Sequence, residues 1–297
     1  MRNEDVFKQE LGMLKGMKAT IRVSAVAHPK FYRPRSVPYA MRAKVEEEID
    51  WLLKEDIIAP VKYAEWAAPI VPVLQPNGSV RICRDYKLTI NSASSLEQYP
   101  IPRVEDLFNT LSGGKQFSKL DLSHAYQQIV MDDTSKKYLT INTHQGLFTY
   151  KRLPFGVSSA PAIFQRTMEN LLQGLPSVAV YLDDIILMGT DEAEHLSTLD
   201  EVLRRLKDAG LRLHRSKCVF LQNEVEYLVH VVNAEGFHPV LSKVRAIEEA
   251  PPPTTVTELK AYLGLLNYFN KFLPSLATRL APLHKLLRKK CFVGLEQ

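Results

Sequence analysis

Apolar and polar positions along this chain fall into blocks that predict helices and strands in a definite order. Two short apolar runs, Val178-Ala179-Val180-Tyr181-Leu182 and Ile185-Ile186-Leu187-Met188, meet at Asp183-Asp184. Such runs read as buried strands, so 178–189 is expected to be a hairpin with two carboxylates where its arms join. Aspartate is a common turn residue, and it is also costly to bury unless it is paired or binds a metal. Both readings stay open on this stretch alone.

Residues 1–38 mix basic residues with Pro29, Pro34 and Pro38 and predict an extended arm. Met41, Val45, Ile49, Leu52 and Leu53 recur at helical spacing and predict an amphipathic helix over 39–55. Two strands, 70–74 and 80–83, flank an Asn77-Gly78 turn. Arg81 and Asp85 fall on or just past the second strand, where Arg81 could be merely a solvated residue. A short helix carries Val104, Leu107, Phe108 and Leu111 and stops at Gly113-Gly114. The run from Phe117 begins as a strand and ends as a helix near Ile129, with Asp121 at the junction; alone, Asp121 could be a helix cap. A hairpin turns at Gln145-Gly146, and a helix after Pro161 buries Phe164, Met168, Leu171 and Leu172. Asp191 and Glu194 resemble a capping box for a helix ending at Gly210. Residues 211–213, 218–221 and 225–232 read as short strands. Pro251-Pro252-Pro253 marks a boundary before a helix capped by Thr255 and Glu258, and Pro274 separates it from a basic amphipathic segment at 280–290. His124, His195, His214 and His230 have no clustered partners in the sequence and read as surface or packing residues.

Composition narrows the class without choosing a function. The 297 residues are 45% hydrophobic and 24% charged, which is ordinary for a globular chain. The net charge of +5 permits a polyanionic partner. It is unevenly spread: 1–36 holds eight Lys or Arg against three acids, and 279–290 holds five and no acid. Cys83, Cys218 and Cys291 form no C-x-x-C pair, which argues against a zinc site or disulfide framework. No apolar leader or membrane-length run is visible, so a soluble intracellular protein is expected, cytoplasmic by default, with the nucleus left open.

Asp121, Asp183 and Asp184 share a setting, each flanked by apolar residues that should be buried. If strands 117–121 and 178–182 are neighbours, three carboxylates cluster, and a divalent cation relieves their repulsion. Oxygen ligands favour Mg²⁺ or Mn²⁺, and a pair of such ions suits phosphoryl transfer. The β, α, β, β, α, β order through 117–232 matches a ferredoxin-like sheet, which brings distant strands together.

Several stretches then carry a resemblance: Val37-Pro38-Tyr39-Ala40, Trp66 to Val71, Phe117-Ser118-Lys119-Leu120-Asp121-Leu122, Leu153-Pro154-Phe155-Gly156 through Gln165, Tyr181-Leu182-Asp183-Asp184, Phe220 to His230, and Leu263 to Tyr268. In this order, from about Glu10 to Lys290, the chain resembles the reverse transcriptase domain of a gypsy-type LTR-retrotransposon Pol polyprotein. The resemblance implies an α+β right-hand polymerase with a ferredoxin-like palm sheet. It sets a basic arm at 1–37, fingers at 38–98 and 129–157, palm at 99–128 and 158–238, thumb and the start of a connection at 239–290, and a tail at 291–297. It implies that Asp121, Asp183 and Asp184, with the Leu122 carbonyl, bind two Mg²⁺ or Mn²⁺ ions. Arg81, Asp85, Tyr126, Phe155 and Gly156 would form the nucleotide pocket, Tyr126 excluding a 2′-hydroxyl, and Lys217 would be a general acid. The implied partners are deoxynucleotides and an RNA or DNA template with its primer, with no membrane; oligomeric state is left open.

Three positions depart from the family pattern: Arg84 and Val229 replace usual glycines or small residues, and Gln75 replaces a common lysine. They raise a second reading, an impaired or repurposed retroelement remnant that only binds nucleic acid. The family's polyprotein continues into ribonuclease H, whose carboxylates cannot be placed here. That activity is not expected, even if the label of a parent polyprotein would carry it.

Overall fold

The computed structural model describes residues 3–76 and 78–287. The Asn77 corner of the expected turn, the basic positions Arg288, Lys289 and Lys290, and the tail 291–297 lie outside the described residues.

A four-stranded antiparallel sheet lies at the centre, ordered Val219–Gln222, Gln116–Asp121, Asp184–Gly189, Val178–Tyr181. Counted along the chain this is fourth, first, third, second, the ferredoxin-like order. Strand alternation decides what covers each face. Leu120, Val180, Ile185 and Leu187 point toward the helices Ala160–Leu171 and Glu192–Asp208, joining the largest core. Phe117, Ala179 and Ile186 point the other way, onto the helix Val104–Thr110 and a three-stranded sheet built from Glu224–Tyr227, His230–Asn233 and Gly236–Pro239. The expected pairing of 117–121 with 178–182 is corrected: Asp184–Gly189 lies between them. Ile185, Ile186 and Leu187 are all fully buried, which suits a central strand, whereas Val178 and Tyr181 are half-buried and suit an edge.

A second sheet has five strands, ordered Ile58–Val61, Gly146–Tyr150, Thr140–Thr143, Ala68–Leu74, Val80–Arg84. The helix Tyr39–Lys54 buries Val45, Ile49 and Leu52 against it, as their spacing predicts. Farther along, the helices Val256–Tyr268 and Leu276–Leu286 enclose a small core of Leu259, Leu263, Leu276 and Leu280. The Thr255–Glu258 capping box is formed in both directions. None of the described helices is long and apolar enough to cross a membrane.

Three regions differ from expectation. The arm is extended but seated: Val6, Leu14, Ala19 and Ile21 are buried, and Lys18–Ala19 pairs in parallel with Val130–Met131. Met13 N–H donates to the Gly210 carbonyl at 2.9 Å. A Cβ on Gly210 would stand 2.4 Å from the Met13 carbonyl oxygen, so this glycine permits the arm's approach as well as ending its helix. The stretch 225–232 is two strands, because the chain turns at Leu228-Val229, and 211–213 contributes only an isolated bridge from Leu213 to Leu122. The helix Leu241–Glu248 is unanticipated. It buries no residue and so carries no apolar stripe to read.

Candidate active site

Asp121 ends its strand directly opposite Asp184, and Asp184 in turn faces Tyr181. The hairpin therefore turns on two residues, Leu182 and Asp183. Leu182 has a φ of 52°, in the left-handed region that a bulky L-residue rarely adopts. Cross-strand partners share a sheet face, so Asp121 and Asp184 project together and Asp183 caps the tip. The Leu122 N–H donates to the Asp183 carbonyl at 3.3 Å, tying the tip to the neighbouring strand.

Asp121, Leu122 and Asp183 line a cleft of about 710 Å³. Arg81, Arg84 and Phe155 line it too, from outside the central sheet. The Arg81 guanidinium lies over the Phe155 ring, 4.7 Å from its centre, so Arg81 is placed at the cleft rather than left as a plain solvated strand residue. Tyr126 is 7% exposed and packs on Phe155 and Phe164 with ring centres 4.7 and 5.1 Å away. Burial, with the charge of Asp183 added, pushes its hydroxyl up to about 12. Gly156 does not line the cleft. Its φ of 93° and the Arg84 carbonyl, 3.4 Å from where a Cβ would stand, explain why glycine is needed there.

Asp85 is not brought to the cleft. Its carboxylate accepts from Arg35 at 2.6 Å, so it fastens the arm to the five-stranded sheet. The bulk of Arg84 is absorbed: it is 9% exposed, donates from Nε to the Tyr150 hydroxyl at 2.6 Å and lies over that ring. Val229, by contrast, has a φ of 66° beside Leu228 at 48°, where glycine would be at ease.

Burial pushes the carboxyls of Asp183 and Asp184 above the usual range. Asp184 and Asp121 add to the effect at Asp183, while Lys119 opposes it at Asp184. Lys119 Nζ lies 3.4 Å from Asp184 and Lys217 Nζ 3.5 Å from Asp121. Among the described residues no three His, Cys, Asp or Glu side chains stand in a ready ligating arrangement. The donor set nevertheless fits a hard divalent cation. It offers only oxygens, and the charge of Asp121 adds to the raised proton affinity of Asp183 and Asp184.

Sequence reading missed four groups. His124 and His214 line the cleft beside Lys217, although they read as packing or surface. Glu48, half-buried on the first helix, faces Arg84 and Arg81, and burial pushes its carboxyl up. Gln165, fully buried, bonds to the hairpin itself. A polar residue on the buried face of a helix is the signal that could have revealed it. His195 is a packing residue as expected: it is buried and bonds Ser118 Oγ at 2.7 Å beneath the sheet.

A family model described as reverse transcriptase (RNA-dependent DNA polymerase) matches residues 73–232. The chain belongs to the reverse transcriptase family. It is 38% identical over 271 residues to an uncharacterized protein of Caenorhabditis elegans, covering 91% of this chain and 21% of that protein. It is 37% identical over 280 residues to the retrovirus-related Pol polyprotein from transposon opus of Drosophila melanogaster, covering 92% and 28%. The chain thus spans roughly a fifth to a quarter of the length of these relatives. Among solved structures, the foamy viral protease-reverse transcriptase dRH in complex with dsDNA matches with a TM-score of 0.88 at 25% identity, over 96% of this chain and 50% of that one. The same viral protein in complex with an RNA/DNA hybrid matches with a TM-score of 0.85 at 25% identity, over 96% and 39%. The fold of this reverse transcriptase domain is therefore the α+β right-hand polymerase that its motifs imply.

Proposed function

We propose that the chain is the RNA-directed DNA polymerase domain of a gypsy-type LTR-retrotransposon Pol polyprotein. It adds deoxynucleotides to a primer 3′ end on an RNA or DNA template. The observation that carries this reading is the register that sets Asp121 against Asp184, with Asp183 at the tip and Arg81 lining the same cleft. The central sheet with its flanking helices acts as palm, the five-stranded sheet as fingers and the segment from 239 to 290 as thumb and start of the connection. The dsDNA and RNA/DNA hybrid named for the viral structures support a template and primer as partners.

Asp121, Asp183, Asp184 and the Leu122 carbonyl are the groups that would hold two Mg²⁺ or Mn²⁺ ions. Bound there, such ions supply activation of the attacking hydroxyl and neutralisation of phosphate charge. Arg81 offers a planar fork that pairs with triphosphate oxygens. Tyr126, packed on Phe155 and Phe164, would exclude a 2′-hydroxyl. Lys217, 3.5 Å from Asp121, would give a proton to the leaving pyrophosphate.

Primer extension with Mg²⁺ or Mn²⁺ tests the proposal. Wild type is expected to extend, and the Asp183→Ala plus Asp184→Ala double variant to lose at least about 10³-fold, in line with removal of a metal-assisted step. Equal extension by the two proteins would sink it. The strained Leu228-Val229 turn favours the remnant reading. Salt-sensitive nucleic-acid binding without extension, unchanged in the double variant, is the outcome that reading requires.

A further inference from the structure

Leu182 occupies a backbone conformation its side chain disfavours, at the point where Asp183 and Asp184 must be aimed. Something in the surroundings has to hold it. The only side chain hydrogen-bonded to its amide among the described residues is Gln165, whose Oε1 accepts from Leu182 N–H at 2.7 Å. Nε2 of the same amide donates to the Val180 carbonyl at 2.8 Å and to Glu169 Oε1 at 2.7 Å. Gln165 therefore grips the hairpin on both sides of Tyr181, with both of its donors and its acceptor used. Those bonds also settle which way the amide faces, because neither carbonyl nor carboxylate could receive anything but the NH₂ end. Glu169 is itself held, since its other oxygen accepts from the Tyr99 hydroxyl.

The helix Ala160–Leu171 thus carries a bonded chain running from Tyr99 through Glu169 and Gln165 to the catalytic turn. Gln165 is fully buried, so water does not compete for these bonds. Among the described residues the turn has no other side-chain prop of this kind. Leu122 reaches the carbonyl of Asp183, one residue later, and leaves the Leu182 amide to Gln165.

We propose that Gln165 is a positioning residue that stabilises the left-handed conformation of Leu182 and so aims Asp183 and Asp184, with Glu169 orienting its amide. This rests on the polymerase reading for its kinetic consequence and on geometry alone for its structural one. If Gln165 works by offsetting strain at Leu182, removing the strain makes it dispensable. Leu182→Gly does so, because glycine adopts positive φ without penalty.

The test is a double-mutant cycle of Gln165→Met and Leu182→Gly, methionine keeping most of the volume while losing every bond. In single-nucleotide extension, Gln165→Met is expected to lower kcat by about 10²-fold, the scale of a small misplacement of reacting groups, with KM for the nucleotide changed less than about threefold. In the Leu182→Gly background the same substitution is expected to cost less than about tenfold. A Gln165→Met variant within about threefold of wild-type kcat overturns the proposal, as does a loss that is the same in both backgrounds. Should Gln165→Met fail to fold, Glu169→Ala is read the same way, with a smaller loss that Leu182→Gly again reduces. Should wild type itself not extend primers, the polymerase reading fails, and melting temperatures of the same four proteins still decide the clamp. A smaller loss on Gln165→Met in the Leu182→Gly background supports it, and strictly additive shifts overturn it.

Discussion

The hairpins that turn at Leu182-Asp183 and at Leu228-Val229 are closed by the same number of residues and carry the same defect, positive φ in residues other than glycine. They are held differently. The first is gripped from outside by a buried amide on a neighbouring helix. The second is held from within, by His230, whose Nδ1 lies 2.7 Å from the Leu228 carbonyl. The His230 ring in turn is boxed by Phe108, Phe237, Tyr268 and Phe272, with centres 5.0 to 6.2 Å away. An external clamp fixes one turn relative to the sheet. An internal clamp leaves its turn dependent on how well the rings around it pack, and two of them, Tyr268 and Phe272, belong to the segment proposed as thumb.

Breaking the internal clamp gives the largest expected effect. His230→Ala removes a side chain only 2% exposed and the bond to Leu228, and should cost about 3 kcal/mol by the usual scale for emptying a core position. Chemical denaturation reads this directly. Loss of less than about 1 kcal/mol would mean the turn does not depend on the ring.

Relieving the strain acts in the opposite direction. Val229→Gly should stabilise the protein by about 1 kcal/mol, the difference between the left-handed penalty of a branched residue and the extra freedom glycine gains when unfolded. In a domain of this size that is a rise of about 2–4 °C in melting temperature. A fall would show that the turn is not under strain. With rescued stability, extension activity should rise if Val229 is what impairs the protein and stay level if it is not.

The smallest effect is in acid. Burial lowers the imidazole pKa of His230. The folded state therefore resists a proton that the unfolded chain accepts, so this contribution is complete above the ordinary imidazole value and is lost as pH falls through it toward the lowered one. Charges facing the ring are Lys271, which adds to the lowering, and Glu105, which opposes it. Melting temperature measured from about pH 7.5 down to about pH 5.5 should drop less steeply in His230→Phe than in wild type. Part of the slope remains in that variant, because His124 and His195 are lowered by burial too.

The comparison also shows what the chain made legible. The Leu182-Asp183 hairpin announces itself because Asp183 and Asp184 interrupt an apolar run, and a polar break is what periodicity detects. Leu228-Val229 continues an apolar run, so nothing in 225–232 signals a turn, and only the backbone shows it. The same limit hides Gln165: its position on the buried face of a helix is readable, but its partners come from a hairpin more than a dozen residues away. Asp121 could be joined to Asp183 and Asp184 only through the ferredoxin-like order, and the actual neighbour, Asp184–Gly189, depends on which arm is buried on both faces. The ion pair of Asp85 with Arg35 is not legible either, because Arg35 lies in an arm whose prolines and charges suggest a loose segment.

That arm has a consequence for how the molecule is made. Its seat is assembled from Gln128 to Met131 and from Ala209 to Leu213, with Leu213 N–H donating to the Val6 carbonyl at 2.7 Å. During synthesis the arm therefore waits for a docking surface that is complete only once Leu213 has followed. Contacts this distant in sequence close late and slowly. Until then Val6, Leu14 and Ile21 are an uncovered apolar thread, free to be captured by a neighbouring copy whose seat is already formed.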